Sequence, residues 1–216
     1  MANTSGNAYA LTALFPIRPG VPDIAPYGME GQTNAACMRY LLQDVLRVSV
    51  DSPMARVPNT YLSRFYILND VPYQGKPAIN EHLKTNYLVF SANFHGELET
   101  WLDGLWRAIE SDIRGLLHYC YAFEQVRDTA TFIEYVKKCQ VETTFFFCGS
   151  TDEPVAVQLK NLYLKQEFSK FVFENQGKSA RETQAAFEDF VKRVQPENIE
   201  GPTWRPAAYD LGSVQK

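Results

Sequence analysis

Histidine is scarce in this chain of 216 residues: there are three, His82, His95 and His118. Cysteine is nearly as rare, and Cys37, Cys120, Cys139 and Cys148 lie far apart among apolar neighbours, as in Phe146-Phe147-Cys148. Metal sites draw on ligand pairs at short spacing, and no two of these cysteines form one. Reduced core thiols are therefore expected and no metal site is. Neither sign of charge dominates, since 21 Lys+Arg against 25 Asp+Glu leaves a formal net charge of -4. Without a basic stripe, nucleic acid is not an expected partner. No apolar run is long enough to cross a bilayer, and Met1-Ala2-Asn3-Thr4-Ser5-Gly6 lacks the basic region and apolar core of a signal peptide. The expectation is a soluble cytoplasmic chain with no membrane partner, for which the glycosylation pattern Asn3-Thr4-Ser5 has no consequence. Internal repeats and low-complexity tracts are missing too. So are a phosphate loop and a nucleophile elbow, so no single motif fixes a reaction.

What the chain has is apolar residues, 45% of the total, enough for one substantial core. A single α+β domain over residues 1–195 with an extended tail at 196–216 is the expected organisation. Its centre is the run Tyr87-Leu88-Val89-Phe90-Ser91-Ala92-Asn93-Phe94-His95-Gly96, which reads as a strand from Asn86 to Phe94. This strand hands over to a helix from Glu97 to about Glu110, where Leu98, Trp101, Leu102, Leu105 and Ile109 form one stripe.

Before that centre, Ala8 to Ile17 alternates as a strand and breaks at Pro16 and Pro19-Gly20. Val21 to Gln32 is a proline- and glycine-rich loop, and Thr33 to about Val48 has helical spacing with Thr33 or Asn34 as cap. Thr60 to Leu68 is a second strand, with Tyr61, Ser63, Phe65 and Ile67 on one face and Leu62, Arg64, Tyr66 and Leu68 on the other.

Beyond the centre, Asp112 to Phe123 fits both periods. Ile113, Leu116, Leu117 and Cys120 favour a helix, whereas Tyr119-Cys120-Tyr121-Ala122-Phe123 favours a buried strand. The topology tips the reading to strand. A short helix follows Asp128, Val141 to Gly149 reads as an added strand, and helices are expected over about 152–175 and 179–194.

Strand, helix, strand, strand, helix, strand is the ferredoxin-like arrangement, placed at about residues 8–123 with an extension to 195. One face of its antiparallel sheet lies under helices. The aromatic content of the other face calls for burial against a second sheet.

This layout, with Leu11-Thr12-Ala13-Leu14-Phe15-Pro16-Ile17-Arg18-Pro19-Gly20, Ser52-Pro53-Met54-Ala55-Arg56-Val57-Pro58 and Phe90-Ser91-Ala92-Asn93-Phe94, resembles an uncharacterised bacterial family from about Leu11 to Gly177. That family is similar to the dimeric α+β barrel superfamily, whose members include dye-decolorising peroxidases, chlorite dismutase-like haem proteins and cofactor-free monooxygenases. The resemblance implies a homodimer, a barrel interior as ligand site and a leaning toward oxidoreductase chemistry. It raises haem as a cofactor. The peroxidase motif Gly-x-x-Asp-Gly is not matched, because Asp103-Gly104 follows Thr100-Trp101-Leu102 with no glycine at the required place. The cofactor is thus unknown, and the missing motif weighs against haem.

His118, in Leu116-Leu117-His118-Tyr119-Cys120, is the first candidate for a general base or haem ligand. A core histidine bonded to a neighbour explains it as well. His95 stands at a strand end, where functional groups are often displayed, and His82 reads as plain surface. Arg64 lies among aromatics within its strand. Such an arginine pairs with a carboxylate or receives an anionic ligand group. His118, Arg64 and His95 form the candidate catalytic set. Asn93, Arg56, Tyr66 and Tyr119 are the candidate substrate contacts: an amide for a carbonyl, a second guanidinium, and two rings to stack on a planar ligand. Ion pairing for Arg56, and core packing for the tyrosines, are the competing readings. The substrate is read as a small, largely apolar or aromatic molecule, and the alternative function is a non-catalytic homodimeric binding or assembly protein.

Overall fold

Alternation of apolar and small polar residues builds the sheet. The computed structural model describes residues 3–45, 52–149 and 152–204. It places strands β1 (Thr4–Ser5), β2 (Ala8–Pro16), β3 (Thr60–Leu68) and β4 (Tyr87–His95) in one antiparallel sheet of order β1-β2-β4-β3. On β2 the residues Leu11, Ala13 and Phe15 are buried, and on β4 so are Leu88, Phe90, Ala92 and Phe94. Phe65 and Ile67 of β3 pack against the same core. The period of two thus delivers one apolar face.

Helix α2 (Leu98–Leu117) covers that face with Trp101, Leu102, Leu105, Ile109 and Ile113, all buried. The Trp101 ring stacks on Phe94 at 4.1 Å, and its indole Nε1 donates to Thr60 Oγ1 at 3.0 Å. Helix α3 (Thr129–Cys139) begins in a capping box, with the Asp128 side chain accepting from the Thr131 amide, and buries Phe132, Tyr135 and Val136. Between β2 and β3 the chain runs through α1 (Asn34–Tyr40), which continues as a π-helical turn, Leu41–Val45. The last expected turn of that helix, residues 46–48, lies outside the described residues.

Two expected strands are not strands. Residues 112–117 continue α2 across a break at Ile109 (φ -141°, ψ 33°). Ile113, Leu116 and Leu117 fall on the buried stripe of that helix, so the helical period decides. Beyond it, Cys120 keeps a single bridge to Ile17. Val141 to Gly149 is irregular, and Phe145 and Phe147 are exposed. The cause is competition for an edge. Residues 3–5 already occupy the outer side of β2, where the Ala10 amide donates to Asn3 O at 2.8 Å. What is left for the later segment is the Val141 amide to Thr12 O at 2.8 Å, then side-chain acceptors: Asn3 Oδ1 for Thr143 and Ser5 Oγ for Cys148. The Gly6-Asn7 turn of the first hairpin is itself held by Asp152, whose carboxylate accepts from the Asn7 amide at 2.7 Å. Gly6 has φ 60°, and a Cβ there would meet Asp152 Oδ2 at 2.5 Å.

The chain divides into two compact units after Asp152. The second contains α4 (Val155–Glu174) and α5 (Ala180–Val194), which match the two expected C-terminal helices. Phe171, Phe190 and Val194 are buried within it, and α5 starts with a Ser179/Glu182 capping box. The expected tail beyond Trp204 lies outside the described residues.

Candidate functional site

Strand β3 is an edge strand of the sheet, with β4 on its one paired side. Ser63 and Phe65 turn toward the core, and between them and α2 a cleft of about 210 Å³ remains, closed on one flank by the 3-10 turn Pro53–Arg56. Its apolar wall is Leu42, Met54, Phe65, Ile109, Ile113 and Leu116. The polar residues at it are Ser52, Ser63, Arg64 and Asp112. The break in α2 lies in this wall, at Ile109.

Asp112 is engaged by Arg56, whose Nη2 donates to Oδ2 at 2.8 Å. Both side chains keep solvent access, so the pair steers geometry more than it stabilises. Arg64 stands apart. Among the described residues no acidic side chain lies within ion-pair distance of it. A guanidinium on an outer strand also guards that edge against pairing with another chain, and this structural role competes with ligand binding.

At the other end of β4 the pairing is irregular. Thr60 faces Phe94 and Leu62 faces Asn93, which leaves Tyr61 as an extra residue on β3. The bulge directs its phenol to His95: Tyr61 Oη and His95 Nδ1 lie 2.9 Å apart, and the rings meet edge to face at 90°. Burial raises the Tyr61 pKa, with Cys148 and Asp152 adding to the effect, so the phenol stays protonated at neutral pH. Asn93, between Ala10 and Leu62 in the ladder, and Tyr66, nearly half exposed, share the sheet face turned away from the helices.

His118 caps the C-terminal end of α2, and its ring rests against that of Tyr119 at 4.5 Å. Tyr119 is buried, which raises its pKa. The His118 carbonyl accepts from Arg18 Nη2. His82, on the surface, pairs with Asp70 at 2.7 Å, and that hydrogen bond first of all lowers the Asp70 pKa to about 2.

The candidate residues therefore fall into three places. Arg64 meets the cleft, together with Asp112, to which Arg56 is tied. His95 and Asn93 belong to the far end of β4, and His118 with Tyr119 to the end of α2. No hydrogen bond, ion pair or ring contact among the described residues joins His118, Arg64 and His95. Arg64 pairs in register with Ser91, four residues from His95, which is about 13 Å along the strand. Sequence reasoning missed the cleft's aliphatic wall, the partner of His95 and the partner of Arg56. The bulge that brings Tyr61 to His95 leaves no trace in the alternation. Nor does the 56-residue separation of Arg56 and Asp112.

Among the described residues there is no group of three or more histidine, cysteine or acidic side chains able to hold a metal ion. Nor, among the described residues, is any helix long and apolar enough to cross a membrane. What fold and site define is a class: an α+β protein whose four-stranded antiparallel sheet carries helices on one face and a small apolar cleft beside an edge strand. No family model matches the chain, and neither a curated protein nor a solved structure matches it.

Proposed function

We propose that the protein binds a small, largely apolar or aromatic molecule in the cleft between β3 and α2, with Ser63 and Asp112 as polar contacts. The cleft wall carries this reading: about 210 Å³ bounded by aliphatic and aromatic side chains with a few convergent polar groups. A cavity of about 150 Å³ with a similar lining holds benzene, so one substituted ring is the guest that fits. Binding is favoured over transformation. Oxidative chemistry is suggested by family resemblance alone, and His95 and His118 stand on other parts of the fold. Neither His118 nor His95 is among the residues that line the cleft, so neither would hold a haem there.

The finer fold reading belongs to the same proposal. A ferredoxin-like unit of the dimeric α+β barrel type is supported by the β2–α1–β3 crossover with β4 lying between its strands. A second reading, a homodimeric binding or assembly protein, is favoured by Leu62, 70% exposed, and Tyr66, 46% exposed, which share the sheet's outer face. Four free thiols, two of them buried, are in keeping with a cytoplasmic setting.

Calorimetric titration of the whole chain with p-cresol tests the first reading. Saturable one-site binding is expected, weakened at least about tenfold by Ser63→Leu, which extends an apolar side chain into the cleft. Absence of binding, or the same affinity in the variant, contradicts it. Sedimentation of Leu62→Glu tests the second: a dimer that becomes a monomer supports it, and a wild-type monomer removes it.

A further inference from the structure

A second cleft, of about 230 Å³, lies where β2 ends, and it shares no residue with the first. Two of its lining residues are cations, Arg18 and Lys84, and none is acidic. In a chain of formal charge -4 this is a local departure, and departures of that kind concentrate counter-charge. Neither cation has a carboxylate within ion-pair distance among the described residues.

Arg18 is held in place by backbone groups alone. Its amide donates to Tyr119 O at 2.9 Å and its Nη2 to His118 O, beside the Ile17–Cys120 bridge. Its Nε is buried and finds no acceptor among the described residues. A guanidinium cannot shed its charge. The opposite wall is equally fixed. Thr85 Oγ1 donates to Ile17 O at 2.6 Å and the Ile17 amide to Asn86 O at 2.8 Å, which ties the segment bearing Lys84 to the end of β2. At Gly20, with φ 86°, nothing lies within 4 Å of where a Cβ would stand, so the backbone is open to an incoming group.

We propose that this cleft binds a small oxyanion, a carboxylate or phosphate group, between Arg18 and Lys84, the two charges that no carboxylate of the described residues neutralises. The proposal is independent of the apolar cleft: an oxyanion site stands whether or not a ring binds under β3.

The test is amide NMR of the whole chain at constant ionic strength, with sodium chloride exchanged for inorganic phosphate in one series and for sodium acetate in another. Saturable shifts of the Gly20, Thr85 and Asn86 amides are expected in at least one series, and the tighter anion names the group. Lys84→Met removes an exposed charge and leaves the frame intact, and it is expected to weaken binding about tenfold. Arg18→Lys keeps the charge and loses the fork, with a similar loss. Linear, unsaturating shifts with both anions overturn the proposal. So does binding that Lys84→Met leaves unchanged.

Discussion

The two units bury their apolar residues in unlike ways. Under the sheet, Leu11, Phe15, Phe94, Leu102 and Leu105 are almost wholly removed from water, and ring stacks such as Phe65–Phe90 at 4.3 Å tie strand to strand. In the α4–α5 hairpin, Phe171, Phe190 and Val194 are the buried apolar residues. Much of its remaining order comes from polar anchors. Lys160, 2% exposed, donates to Val194 O at 2.7 Å and to Pro202 O at 2.8 Å, and Glu167 binds both Lys170 and Arg193. Phe168, Phe173 and Phe187 remain in contact with solvent. A unit with surplus burial can tolerate an unfilled cleft beside β3, whereas one that depends on a few hydrogen-bonded charges cannot lose any of them cheaply.

That contrast orders the expected effects. Trp101→Ala, which removes a buried ring and its bond to Thr60, is expected to cost the sheet unit about 3–5 kcal/mol, read by denaturant unfolding. A loss below about 1 kcal/mol is incompatible with the packing described. Lys160→Ala strips one buried and one part-buried carbonyl of their donor and is expected to cost about 2 kcal/mol, confined to the hairpin. Hydrogen exchange of α5 amides should speed up while the β2 and β4 amides keep their protection. Equal acceleration in both would erase the contrast.

The smallest effect belongs to the exposed Asp70–His82 pair. The Asp70 pKa is lowered to about 2, so any contribution of its charged form is present above the ordinary carboxylate pKa and fades as pH falls through about 2. In His82→Ala the carboxyl titration, followed by NMR, should move up toward about 3.9, with unfolding at neutral pH essentially unchanged.

Much of this architecture can be read from the residues. The alternation in Ala8–Pro16, the apolar run at Tyr87–His95 and the stripe from Leu98 to Ile109 each point to the element they form, because burial and local propensity agree there. Val141 to Gly149 is as rich in strand formers as β4, yet residues 3–5 hold the edge it needs, and propensity carries no information about who arrives first. The same limit applies to the site. Arg64 among aromatics stood out by type. The Ile113 and Leu116 side of the cleft looked like ordinary core, and the spacing gives no sign of the break at Ile109 beside it.

The most direct test of the ligand cleft is a methyl-resolved NMR titration of the whole chain with p-cresol. Shifts that saturate together at the Met54, Ile109, Ile113 and Leu116 methyls, with those of Leu11 and Val194 unmoved, are the predicted result. Shifts absent from these four, or spread evenly over both units, would contradict it.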